Sequence, residues 1–342
     1  MQLMMHIRNL AVVASLLLGA TTGAEITGQQ RAEAAGHDLL GTPAPRLVLK
    51  TIDGDTIDLG GLYGKKAVYL KFWATWCVPC RQQMPHFQHT YETAGADLAV
   101  IAVNVGFNDS VEAIRKYQKQ LGITMPIVFD GDAAIAGAFN VRVTPQHIVI
   151  GRDGRIRYVG HLADERLDAA LIAARAPGTD RTHGDAMRQA VAKSYRTGDP
   201  LPATTVRTLD GHAFHFQQQG LKGPTVFVFL SPWCESYLET SRPEVSANCR
   251  AAREQVSALS HNPHVRWLGV ASGLWATPED LQEYQKKYAI GIPLLLDESG
   301  RLFREFGVNN TPTMIVADAS GNITHRIETD QSQKLPQVLQ AL

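Results

Sequence analysis

The sequence is short of three things, and each absence excludes a class of protein. It carries no net charge, because 33 Lys and Arg balance 33 Asp and Glu, so the electrostatic footprint of a nucleic-acid or anionic-membrane binder is missing. Proteins and small molecules are the expected partners, with no nucleic acid. It has no apolar run of the ~20 residues needed to cross a bilayer. The run Leu10 to Ala20 instead has the length of a secretory signal core; it follows His6 and Arg8 and precedes the small residues Thr22-Gly23-Ala24. Residues 1–24 are therefore read as an export signal cleaved near Ala24, and no stable membrane anchor is expected. The chain has only four cysteines in 342 residues. That is too few for a disulfide-stapled miniprotein, and the length suggests two cores of ~100–200 residues each. The chemistry of each cysteine should decide its position.

What the chain does contain is an internal repeat. Pro43-Ala44-Pro45 returns as Pro200-Leu201-Pro202, Asp53-Gly54 as Asp210-Gly211 and Trp76-Cys77 as Trp233-Cys234, all at an offset of 157 residues. Beyond that point Met125-Pro126 matches Ile292-Pro293, Asp130 matches Asp297, Thr144-Pro145 matches Thr311-Pro312 and Gly154 matches Gly321, at an offset of 167. The second copy has thus gained ten residues between Cys234 and the strand Val265 to Ala271.

Both copies read as the same string of elements. An extended entry at Leu47 to Thr51 turns at Asp53-Gly54, and a β-rich run follows at Ala67 to Trp73. A helical pattern from Cys80 to Ala94 leads to a buried strand at Leu98 to Val105, too apolar to alternate. A second helix is predicted over Ser110 to Leu121 with Ser110 as N-cap, then strands near Ile127, His147 to Ile150 and Ile156 to Tyr158. In the second copy the elements fall at Thr225 to Leu230, Arg242 to Leu259, Trp267 to Ala271, Pro278 to Tyr288, Leu294 to Leu296, Met314 to Ala317 and Ile323 to Ile327. Strands alternating with helices and ending in a hairpin imply an α/β fold, a mixed central sheet with flanking helices, duplicated in tandem. The expected boundaries are a flexible lead-in over 25–40, a first domain over 41–175, a linker over 176–198 and a second domain over 199–342.

The chemistry centres on Cys77-Val78-Pro79-Cys80, two cysteines three apart between a strand and a helix start. A thiolate is the nucleophile of disulfide exchange, and both a helix N-terminus and the CxxC arrangement stabilise it. Cys77 is expected to be the exposed attacking sulfur and Cys80 the resolving one. A zinc site would need two further thiolate or imidazole ligands, and no second pair at finger spacing follows. A purely structural bond is disfavoured because so short a loop constrains little unfolded entropy. His86, His89, His147 and His161 are only weak candidates for copper or zinc, so no cofactor and no metal is expected.

The run Phe72-Trp73-Ala74-Thr75-Trp76-Cys77-Val78-Pro79-Cys80-Arg81, the strand Ala102 to Gly106, Phe129-Asp130 and Val143-Thr144-Pro145 resemble the TlpA/ResA-like thiol-disulfide oxidoreductases of the thioredoxin superfamily. The resemblance covers about Thr42 to Arg175. It implies a thioredoxin-like fold, a cis-proline at Pro145 beside the dithiol, and backbone hydrogen bonds from Thr144 to a bound substrate strand. It also implies a protein-disulfide reductase, working on disulfide-containing substrate proteins and recharged by a membrane thiol donor in a periplasmic or other extracytoplasmic space. Trp76, next to the attacking sulfur, is expected to form a shallow apolar dock for substrate polypeptide. Two positions depart from the family pattern. Gln83 stands where many relatives have a titrating Glu, and Lys71 stands where thioredoxin has a buried Asp. A buried lysine there would favour a thiolate while itself being pushed towards neutrality; the alternative is a Lys71 that snorkels to water.

In the second copy Tyr237 replaces the resolving cysteine, and the inserted residues bring Cys249. Three readings stay open: a structural Cys234–Cys249 disulfide closing a loop of fourteen residues, for which the chain-entropy account gives about 3 kcal/mol; a displaced redox pair; or a lone thiol at Cys234 with Cys249 inert. A rival to the enzyme reading is a copper-handling or chaperone scaffold whose dithiol grips a partner without turnover.

Overall fold

The computed structural model describes residues 36–176, 194–218 and 220–342. The export signal, the lead-in up to residue 35 and residues 177–193 of the linker lie outside them.

In the first repeat a small antiparallel ribbon, β1 (Val48–Lys50) and β2 (Thr56–Asp58), turns at Gly54 and is followed by a single helical turn, α1 (Leu59–Leu62). The main strand β3 (Ala67–Trp73) is buried at all seven positions, as a central strand covered on both faces must be. After it come α2 (Val78–Gln82), α3 (Met84–Glu92), β4 (Leu98–Asn104), α4 (Val111–Leu121), β5 (Ile127–Phe129), α5 (Ala134–Ala138), β6 (Gln146–Ile150), β7 (Ile156–Gly160) and α6 (Glu165–Ala174). The sheet order is β5-β4-β3-β6-β7, with β3, β4 and β5 parallel and β6 and β7 antiparallel. Ser110 caps α4 by accepting from the Ala113 N–H, and Gly122 ends it in the left-handed conformation.

The second repeat has the same order. After β8 (Thr205–Arg207) and β9 (Ala213–His215) come β10 (Thr225–Leu230), α7 (Cys234–Tyr237), α8 (Pro243–Leu259), β11 (Arg266–Ser272), α9 (Pro278–Lys287), β12 (Leu294–Asp297), α10 (Arg301–Glu305), β13 (Thr313–Ala317), β14 (Ile323–Ile327) and α11 (Leu335–Gln340). Its sheet, β12-β11-β10-β13-β14, superimposes in order on the first. Thr144–Pro145 and Thr311–Pro312 are both cis.

Several expectations need correction. The continuous helix Cys80 to Ala94 is two helices meeting at Gln83, because Pro85 has no N–H to continue the ladder. Within the lead-in over 25–40, His37–Leu39 forms a 3₁₀ turn and Leu39 packs on the core. The end of the linker is likewise held, with Tyr195 N–H on Glu305 O and its ring 5.6 Å from Phe306. The helix α6 was not anticipated, although Asp164 caps it and Leu167, Leu171 and Ala174 give it a buried stripe. Cys234 and Cys249 are bonded, with Cα atoms 6.3 Å apart, so the lone-thiol reading of Cys234 is set aside.

One glycine is required by close approach. Gly106 ends β4 at φ 69°, and a Cβ there would lie 2.3 Å from Asp130 O. Gly122 has φ 63° with nothing within 4 Å. Gly122→Ala is expected to cost about 1 kcal/mol for conformation alone, and Gly106→Ala clearly more, because backbone overlap is added to the same φ penalty. Urea midpoints of the two variants check the difference; equal losses would contradict it.

Candidate active site

The dithiol sits where β3 hands over to α2. Cys77 and Cys80 are disulfide-bonded, with Cα atoms 5.2 Å apart. Cys77 is the N-cap of α2, and the Cys80 N–H points at its sulfur at 3.2 Å. A free N–H at a helix start directed at sulfur is the arrangement that stabilises a thiolate. The β3–β6 register, Phe72 against Gln146, brings the cis Thr144–Pro145 bond to the same end of the sheet.

The loop carrying the site is pinned by Asp109. Its carboxylate accepts from Thr75 N at 2.7 Å, Thr75 Oγ1 at 2.8 Å and Asn104 Nδ2 at 2.8 Å. The Trp76 indole N–H donates to Phe107 O at 2.7 Å. Sequence reasoning missed Asp109; the signal would have been a carboxylate just after the buried strand β4, opposite a hydroxyl-bearing loop.

Beneath the site lies a buried polar chain. Lys71 is fully buried on β3, and its Nζ has no hydrogen-bond partner; the Phe87 ring lies 5.4 Å away. Burial pushes its pKa down to about 7. Lys71 does not snorkel: β3 is the middle strand, and its side chain finds no path to water. Directly across the sheet, His147 accepts the Tyr69 hydroxyl on Nδ1 at 2.7 Å, which leaves its Nε2–H to donate to Gln83 Oε1 at 2.7 Å. The Gln83 amide then donates to His161 O at 3.0 Å. Burial first, and the Lys71 charge second, hold His147 well below its ordinary pKa, hence neutral. Gln83 does not titrate, yet it fixes the orientation of a buried histidine, a role the sequence did not reveal.

Two expectations about exposure fail. Cys77 is only 1% exposed and Cys80 fully buried. Trp76 is not an open dock: it stacks on Trp233 with ring centroids 5.2 Å apart, and Tyr237 meets it edge-on at 6.2 Å. For Trp76 the cause is the second repeat, which supplies both rings. Its own centre, Cys234–Cys249, is also buried, with Cys249 Sγ 3.7 Å from Thr311 O. Among the described residues no cluster of three or more His, Cys, Asp or Glu is arranged to hold a metal ion, and no helix is long and apolar enough to cross a membrane.

The lysine makes a pH prediction. Unfolded, Lys71 has the ordinary value near ~10.4; folded, it has about 7. Between the two the unfolded chain binds more protons, so stability rises with pH, and below about pH 7 the folded state carries the full penalty. Lys71→Met is expected to stabilise the protein at neutral pH by more than ~1.4 kcal/mol, the worth of one pKa unit, and to flatten that rise. Urea unfolding at pH ~6.5 and ~9.5 checks it; an unchanged pH dependence would contradict the buried-lysine account.

Comparison with known proteins agrees with this geometry. The AhpC/TSA family matches residues 40–159 and Redoxin matches residues 196–342. The first repeat is similar to thiol-disulfide oxidoreductase ResA of Bacillus subtilis, 34% identical over 34% of this chain and 64% of that protein. ResA of Halalkalibacterium halodurans is 32% identical over 44% of this chain and 82% of its own length. The thioredoxin-like protein YneN of Bacillus subtilis is 34% identical over 38% and 78%. Among solved structures, a thioredoxin-family thiol:disulfide interchange protein from Chlorobium tepidum aligns at 28% identity, TM-score 0.36, over 40% of this chain and 97% of that one. A dithiol at a strand–helix junction, a cis-proline at the same sheet end and relatives matched over most of their length lead to one conclusion: the chain belongs to the ResA-like thiol-disulfide oxidoreductases of the thioredoxin superfamily, with the fold present twice.

Proposed function

We propose that the protein reduces disulfides in other proteins outside the reducing cytoplasm, using Cys77 and Cys80. The observation that carries this reading is the Cys77–Cys80 bond capped by its own helix N-terminus, with a cis-proline loop at the same end of the sheet. The reduced Cys77 thiolate attacks a substrate disulfide, forms a mixed disulfide and releases one substrate thiolate. Cys80 then attacks the Cys77 sulfur and releases the second. Two electrons have passed to substrate, the enzyme is left oxidised as seen here, and a membrane thiol donor returns it to the dithiol form. The extracytoplasmic setting is supported by the sequence of residues 1–24 and by the pairing of all four cysteines. Thr144 offers its backbone to a substrate strand, and Lys71 supplies positive charge beneath the sulfurs while keeping a proton to give.

The Cys234–Cys249 bond is read as structural. It spans a sequence separation of 15 and ties α7 to α8 across the inserted residues, and the chain-entropy account gives such a loop about 3 kcal/mol.

Insulin reduction with a dithiol donor is expected to be lost in Cys77→Ser and retained when Cys234 and Cys249 are both replaced by Ala. Cys80→Ser should strand substrate on Cys77 as a mixed disulfide, recoverable and identifiable by mass. Reduction that survives Cys77→Ser would overturn the assignment.

Lys71→Met should raise the pKa of the Cys77 thiol, since a charge that favours the thiolate is removed. Thiolate absorbance titration of the reduced protein reads this directly. An unmoved or lowered thiol pKa would remove Lys71 from the mechanism.

A further inference from the structure

The two repeats meet face to face about a pseudo-two-fold axis, and the central backbone contacts come as an equivalent pair. Asn108 and Trp275 are equivalent at the offset of 167. The Asn108 N–H donates to Asn309 O at 2.8 Å, and the Trp275 N–H donates to Arg142 O at 2.9 Å, again equivalent acceptors. The Asn108 side chain completes its half by bonding Thr311 N–H at 2.8 Å and Thr311 Oγ1 at 3.3 Å. The Trp275 indole completes the other by donating to Thr144 Oγ1 at 3.2 Å. Trp76 and Trp233, equivalent at 157, stack between the halves, and each indole N–H is spent at 2.7 Å on its own repeat, on Phe107 O and Leu274 O respectively.

Asn108 and Trp275 both have positive φ, 48° and 59°. Asn tolerates that region; a tryptophan there is a genuine outlier, held only where its surroundings over-determine it. What holds it is the loop that precedes the first repeat's cis-proline. Around it the second repeat reaches the loop that carries the dithiol: the Arg242 guanidinium donates to Thr75 Oγ1 at 2.5 Å and sits 3.7 Å from Asp109. Tyr237, standing where a resolving cysteine would be, meets the Trp76 ring edge-on at 6.2 Å.

We propose that the second repeat is a tethered pseudo-substrate: Gly273 to Trp275 occupies the Arg142–Thr144 edge on which an extended, disulfide-bearing polypeptide is read, and Cys77 becomes reactive only when the two faces part. The partner this edge fits is an extended chain that donates a backbone N–H to Arg142 O and presents an aromatic side chain with its own donor to Thr144. The replacement of a resolving cysteine by Tyr237 thereby acquires a purpose, since the second repeat has given up its own exchange site and covers that of the first. A cleft of about 80 Å³ opens between the repeats beside Phe107, Leu274, Phe303 and Arg304.

The proposal rests on Cys77 being the attacking sulfur, and its test separates the two. In the reduced full chain, the rate of Cys77 alkylation by iodoacetamide, localised by peptide mass, is compared between the wild type, Trp275→Asn and Asn108→Gly. Trp275→Asn keeps a residue tolerant of positive φ and removes the indole; Asn108→Gly does the same from the other side of the axis. Alkylation at least tenfold faster in either variant, with an unchanged circular dichroism spectrum, is the expected result. Rates within twofold of wild type in both folded variants would overturn the proposal. Insulin reduction, measured in parallel, reads the other claim: faster alkylation without reduction keeps the clamp and removes the reductase, and reduction with unaltered alkylation does the reverse.

Discussion

The pair of backbone hydrogen bonds from Asn108 to Asn309 and from Trp275 to Arg142 is the constraint on which the active site's state depends. Each uses an N–H that no strand or helix of its own repeat claims, and each acceptor lies in the loop before a cis-proline. Asn108 is buried, and a buried backbone N–H must find a partner, which Asn309 O supplies. The stacking of Trp76 on Trp233 and the approach of Arg242 to Thr75 and Asp109 belong to the same contact between the repeats.

A second constraint acts within the first repeat. Lys71 occupies the middle strand, fully buried and with no hydrogen-bond partner for its Nζ. An unpaired buried charge is costly to the fold, and burial pushes this lysine towards the neutral form. The neutral His147, locked between Tyr69 and Gln83, keeps a competing charge out of the same space. The departures from the family pattern at Lys71 and Gln83 therefore form one local solution.

Much of this was legible in the chain itself. The repeat was carried by punctuation residues, Asp-Gly, Trp-Cys and Thr-Pro, whose spacing survives because turn chemistry and the cis-proline loop tolerate few substitutes. The buried strands were readable because central strands are apolar on both faces. The break at Gln83 was harder to see, since it depends on a single proline acting two residues downstream. The helix α6 carries only three inward side chains in ten residues, too weak a stripe to stand out.

Residue order alone determined that there would be two copies of one α/β fold, that Cys77 and Cys80 would sit at a strand–helix junction, and that the second copy would lack its resolving cysteine, because each of these is fixed by local spacing. Only the tertiary structure decided that Cys234 and Cys249 lie within bonding distance, that Lys71 has no route to water, and that the second repeat closes over the first. These are facts about residues brought together across sequence separations of 15 to more than 160, by sheet order and by a pseudo-two-fold contact, and no local pattern encodes them.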